Sequence, residues 1–162
     1  MRWFMVDRLE ECEAGVRAIA TKSFSRSELF FMDHFPGRPT VPGVLEIEMI
    51  GQTAALCVAC LNPGSFGMLS HVRSARFLRP IVPGDQCRIH IEILKLRTQY
   101  MTTSGYIEVD GRRVGEAELM GAIIQNPATE NLANPIIEDW KQRNGGTSEQ
   151  RSVESCIAAG AR

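Results

Sequence analysis

The sequence predicts an α+β fold in which one long buried helix is wrapped by an antiparallel sheet. Three observations carry this. Val44–Leu61 is apolar on nearly every face and holds no Lys or Arg, as expected of a helix enclosed by other structure. The segments Ser65–Pro80, Gln86–Arg97, Met101–Val109 and Arg113–Ile123 that follow it read as strands, with alternation cleanest through Cys87, Ile89, Ile91 and Ile93. Asp110-Gly111, between the last two, is a strong hairpin signal.

The earlier elements are shorter. Met5–Asp7 leads into Gly15–Ser23, where Val16, Ala18 and Ala20 recur at the strand period. Ser25–Phe31 reads as a helical turn, with Ser25 as its cap and Glu28 three residues on. From His34 to Gly43, three prolines and two glycines in ten residues make a stiff loop. The helix after it spans about 27 Å, and Asn62-Pro63-Gly64 ends it. Ile81-Val82-Pro83-Gly84-Asp85 forms a turn.

A chain of 162 residues, 44% hydrophobic and 23% charged, suits one globular domain. We place it at residues 1–126. Residues 127–162 form a C-terminal extension with a short helix at Pro135–Gln142 and a flexible tail broken at Gly145-Gly146-Thr147-Ser148. A formal net charge of −1 provides no global attraction to nucleic acid or to a membrane. Glu46 and Glu48 inside the apolar stretch argue against a bilayer span. The N-terminus lacks a charged leader with a long apolar run, and five cysteines make an odd count. Both point to a reducing cytoplasm.

His34 stands in the stiff loop among Phe30, Phe31 and Phe35. Histidine is the side chain best suited to moving protons near neutral pH. A loop histidine held by hydrogen bonds is the bland alternative. Glu48 lies in the apolar helix with no basic partner on it, so burial should raise its pKa and keep it usable as a general acid. Val44, Glu48 and Gln52 recur every four residues on one face, so the Gln52 amide can orient Glu48. Glu46 competes for the acid role; it points to the other side, towards Thr53 and Cys57, and lacks an amide partner. Gly43 opens the helix, where free N–H groups and the helix dipole favour negative charge on an acyl oxygen. Cys57-Val-Ala-Cys60 sits late in the helix, the wrong place for a redox motif, and no metal spacing accompanies it. His71 and His90 read as structural.

The run His34-Phe-Pro-Gly-Arg-Pro-Thr-Val-Pro-Gly-Val-Leu-Glu-Ile-Glu48-Met-Ile-Gly-Gln52 closely resembles the signature of the FabZ/FabA family of (3R)-hydroxyacyl-acyl carrier protein dehydratases. Arg76-Phe-Leu-Arg-Pro-Ile-Val-Pro-Gly-Asp85 looks like that family's second block, and the likeness spans about residues 5–123. The resemblance implies a hot-dog fold, no cofactor, and homodimers sharing active sites, often as trimers of dimers. It gives His34 the base role, Glu48 the acid role and Gly43 the carbonyl-binding amide, with Val44, Gln52, Phe35 and Pro42 as further substrate contacts. The implied reaction removes water from a 3-hydroxyacyl thioester on acyl carrier protein, in fatty acid or related lipid or polyketide synthesis. A hot-dog thioesterase and a non-catalytic acyl-binding module are the alternatives. Acidic carrier proteins need a local basic patch. Arg38, Arg73, Arg76 and Arg79 are its candidates, with Lys95 and Arg97 further on. The competing reading is a solvated strand face. Strand alternation alone cannot put Arg73, Arg76 and Arg79 on one side without a bulge.

Overall fold

A computed structural model describes residues 4–125 and 134–144. The elements run β1 (Arg8–Glu13), β2 (Arg17–Ser23), α1 (Phe30–Asp33), α2 (Gly43–Leu61), β3 (Ser65–Phe77), β4 (Gln86–Leu96), β5 (Tyr100–Val109), β6 (Arg112–Gln125) and α3 (Pro135–Arg143). The strands form one antiparallel sheet in the order β1-β2-β4-β5-β6-β3. The α+β hot-dog architecture is therefore present: α2 lies along one face and touches every strand.

Local chemistry explains the boundaries. Pro42 caps α2, and the Leu45 N–H bonds back to its carbonyl at 2.8 Å. At the other end the Asn62 N–H bonds the Val58 carbonyl, and Gly64 turns the chain with a φ of 84°. Asp110 and Gly111 both take positive φ, 51° and 71°, the geometry of a type I′ hairpin between β5 and β6. Asn134 caps α3, accepting the Ile136 N–H, and Pro135 occupies the first turn.

Several expectations need correction. The first strand is Arg8–Glu13, not Met5–Asp7. Its charged sequence shows little alternation, and pairing with β2 fixes it instead. The Ser25 hydroxyl accepts from the Ser27 N–H in a local turn, while α1 begins at Phe30 with no side-chain cap. The expectation that α2 is enclosed on all sides also fails within one chain. Leu45, Glu46, Met49, Ile50, Thr53 and Cys57 are buried against the sheet, but Val44 is exposed, and Glu48, Gly51, Gln52 and Ala55 are only half-buried. The flexible tail expected after α3 lies outside the described residues.

The helix–sheet contact is tight. Ile50 packs onto Gly105 of β5, where a Cβ would meet Ile50 Cγ2 at 2.7 Å and the His90 carbonyl at 2.9 Å. Backbone cannot yield as a flexible side chain can. Gly105→Ala is expected to lower stability by about 1–3 kcal/mol, measured as a lower urea midpoint at unchanged m-value. A midpoint equal to wild type would show that the helix shifts at no cost.

Candidate active site

His34 is held by its loop. Its N–H closes α1 by bonding the carbonyl of Phe30, the first residue of that helix, and the Thr40 N–H bonds the His34 carbonyl at 2.8 Å. Phe35 and Arg38 exchange backbone bonds across the tip, and the Val41 N–H ties the loop to Ile81. Phe24, Phe30 and Phe31 pack edge-on and tilted beneath it. The His34 ring stacks on Phe35 at 4.1 Å, and its Nδ1 lies 3.0 Å from the Thr40 carbonyl. A carbonyl only accepts, so Nδ1 carries the proton of the neutral ring. Nε2 keeps its lone pair and can take a proton. Thr40 was not singled out from the sequence; its contribution is a backbone oxygen, which no residue type announces.

Glu48 and Gln52 meet as the four-residue spacing predicts. Gln52 Nε2 donates to Glu48 Oε1 at 2.8 Å, and the Met5 N–H donates to Gln52 Oε1 at 2.9 Å. Because the Met5 amide can only donate, it fixes which end of the Gln52 amide faces Glu48. This role of the N-terminal segment had no signal in the sequence. Glu48, Gln52 and Ala55 line a cleft of about 90 Å³ between α2 and strands β3, β5 and β6. That cleft is not lined by His34 of the same chain.

Gly43 is the first residue of α2, and its N–H has no partner among the described residues. The Phe77 ring covers it so closely that a Cβ would lie 3.0 Å from the ring. A side chain at position 43 would therefore displace the ring from the helix start. Pro42 caps the helix and Val44 follows Gly43; both Val44 and the loop residue Phe35 are exposed.

The buried unpaired carboxylate is Glu46, which corrects the burial expected of Glu48. Glu46 is 4% exposed, its Oε2 has no hydrogen-bond partner, and it presses on β6 at Gly115. Burial pushes its carboxyl up to about 8. It shares its buried face with Thr53 and Cys57, as expected.

The arginines divide. The register of β3 against β6 slips between Val72 and Ser74, and this bulge brings Arg73 and Arg76 to one face. There Arg73 pairs with Glu118 at 3.0 Å, and Arg76 pairs with Glu116, which Arg113 also holds. Arg38 and Arg79 are exposed and make no ion pair among the described residues. His90 stacks on Tyr106, with burial lowering its pKa, and lines a larger groove of about 510 Å³ on the sheet face turned away from α2. None of the predicted site residues lines that groove.

The sequence model of the FabA-like domain matches residues 2–118. The chain belongs to the FabA-like family. It is a dehydratase of the FabZ type, a hydro-lyase. The 3-hydroxyacyl-acyl carrier protein dehydratase FabZ of Anaeromyxobacter sp. (strain Fw109-5) is 38% identical over 127 residues, covering 75% of this chain and 80% of that protein. The enzyme of the same name from Acidiphilium cryptum (strain JF-5) is 40% identical over 132 residues, 79% of this chain and 80% of its own. Among solved structures, the dehydratase heterocomplex ApeI:P from Xenorhabdus doucetiae superposes with a TM-score of 0.59 at 20% identity, covering 75% of this chain and 99% of that one. A hypothetical thioesterase with coenzyme A from Streptococcus pneumoniae TIGR4 gives a TM-score of 0.59 at 18% identity, over 74% and 86%. At such identities these two speak for the fold alone.

Glu46 makes stability depend on pH. Its folded pKa of about 8 stands above the usual 4.5. Below 4.5 both folded and unfolded states hold the proton and nothing is lost. Between 4.5 and about 8 only the unfolded state releases it, so stability falls as pH rises, by roughly a few kcal/mol in all. Glu46→Gln is expected to flatten the drop in Tm between these limits while leaving turnover within a few-fold of wild type. An unchanged Tm profile would mean that the carboxyl is hydrated in solution.

Proposed function

We propose that the chain converts a (3R)-3-hydroxyacyl thioester on acyl carrier protein into the trans-2-enoyl thioester and water, with His34 as base and Glu48 as acid. The observation that supports this best is the polarity of two hydrogen bonds. The Thr40 carbonyl places the His34 proton on Nδ1, leaving Nε2 free, and the Gln52 amide occupies Glu48 Oε1, leaving Oε2 to hold a proton. The thioester acidifies the neighbouring C–H, and Nε2 removes that proton. The Gly43 N–H donates to the thioester oxygen as charge builds on it. Glu48 protonates the β-hydroxyl, which leaves as water. The double bond forms from the electron pair of the broken C–H bond. Val44, Phe35 and Pro42 border the thioester. No cofactor is needed for this proton chemistry.

We propose further that the working unit is a homodimer with shared sites, on which a trimer of dimers can build. β3 is a sheet-edge strand of 13 residues exposing Phe66, Met68, Leu69 and Val72. A long apolar edge is what a second copy would cover. The reaction is placed in the cytoplasm, consistent with the free thiols of Cys12, Cys57, Cys60 and Cys87. Arg38 and Arg79, whose charges are not taken up by neighbouring carboxylates, suit an acidic carrier protein best.

The direct assay follows enoyl absorbance and free thiol after adding a 3-hydroxyacyl thioester; thiol release without enoyl product would favour a thioesterase. His34→Ala and Glu48→Gln are each expected to lower kcat by roughly a thousandfold, and a mixture of the two to recover part of the activity through hybrid dimers. No recovery despite verified subunit exchange would count against shared sites. Arg79→Glu is expected to raise KM for carrier-protein thioesters several-fold and weaken its salt dependence, with pantetheine thioesters turned over normally. Equal effects on both substrates would place Arg79 outside the docking surface.

A further inference from the structure

We infer that the C-terminal helix α3, together with Phe4, closes the far end of the acyl channel and sets the length of chain the enzyme accepts. The inference rests on the dehydratase reading, and it concerns a part of the chain beyond the residues 2–118 that match the family domain. The cleft holding Glu48 has a neighbour further along α2. The second, about 210 Å³, lies towards the end of the helix, between Leu56, Ala59, Phe66, Phe4 and Ile136. The two share Gln52 and Ala55, so they adjoin at one point on the helix. An acyl chain whose β-carbon sits at Glu48 would therefore run along α2 past Ala55. From Glu48 to Ala59 the helix advances about 16 Å, room for a long saturated tail.

Where the two clefts adjoin, small residues form a low floor. Gly67 on β3 faces Ala55, where a Cβ would come within 3.1 Å of the Ala55 Cβ and 3.2 Å of Met101 Cε. Gly67 and Ala55 therefore touch, and an acyl chain would cross over this pair rather than between them. At the far end the walls are mostly apolar, with Ser65 and Asn134 among them: Phe4 and Phe66 are half-exposed over the cleft, and Ile136 reaches it from α3. α3 is anchored for this role. Ile137 and Trp140 are buried, and Arg143 Nη2 donates to the Leu9 carbonyl at 3.0 Å. Ile136 is therefore carried on a fixed element, and its size determines where the channel stops.

The test uses the full-length chain and pantetheine thioesters, which avoid any carrier-protein effect. Turnover of 3-hydroxybutyryl and 3-hydroxymyristoyl thioesters is compared in wild type, Ile136→Trp, Ile136→Ala and Ala59→Leu. Ile136→Trp and Ala59→Leu are expected to lower kcat/KM for the long substrate by roughly tenfold or more, with the short substrate unaffected. Ile136→Ala should shift preference towards longer chains. Ala59 lies on α2, so its variant tests the channel even if α3 detaches when Ile136 is enlarged. An unchanged long-to-short ratio in Ala59→Leu and in a folded Ile136→Trp would overturn the inference while leaving the dehydratase reading intact. Failure of wild type to dehydrate either thioester would instead remove the reading on which it rests.

Discussion

The contact between α2 and the inner face of the sheet governs the rest of the molecule. Ile50 enters where Gly105 leaves space, and Glu46 enters where Gly115 does. These fits set the rotation of the helix about its own axis. Once that rotation is set, positions 44, 48 and 52 lie off the buried face, with Glu48 and Gln52 at the cleft along its margin, and Gly43 must meet Phe77. Glu48, which we propose as the acid, and the Gln52 amide that holds it are thus placed by core packing at the margin of the same helix. A one-residue change of phase would put the Glu48 carboxyl in the core and Glu46 elsewhere.

Glu46 shows what such packing tolerates. A carboxyl without a partner in an apolar interface costs free energy unless it stays protonated. Its location, away from the cleft yet one turn from the helix start, separates the two acids of the helix by environment. One is enclosed and neutral over much of the pH range; the other is paired with an amide at the edge of a cavity.

Much of this was legible in the sequence. The apolar run of α2, the alternation of β4 and the Asp110-Gly111 turn each encode their structure locally, and the structure has all three. The pairing of Glu48 with Gln52 followed from helical spacing alone. What escaped was non-local. A helix apolar on nearly all faces carries no marker of which face meets the sheet, so burial was assigned to Glu48 when it belongs to Glu46. β1 lacks alternation because only Leu9 of its six residues is buried. The bulge that brings Arg73 beside Arg76, and the glutamates that neutralise both, depend on the register with β6. The proposed catalytic roles rest on the motif from His34 to Gln52, to which the structure adds hydrogen-bond partners.

The two margins of the sheet are unlike. Along β1 the register breaks between Leu9 and Glu11, α3 lies against the strand, and the Leu9 carbonyl is already occupied by Arg143. Along β3 nothing among the described residues covers the backbone. Joining two copies through β3 would leave only blunted margins at either end of the combined sheet. Growth by strand addition would then stop at two, so the same apolar margin that invites association would not propagate into a filament.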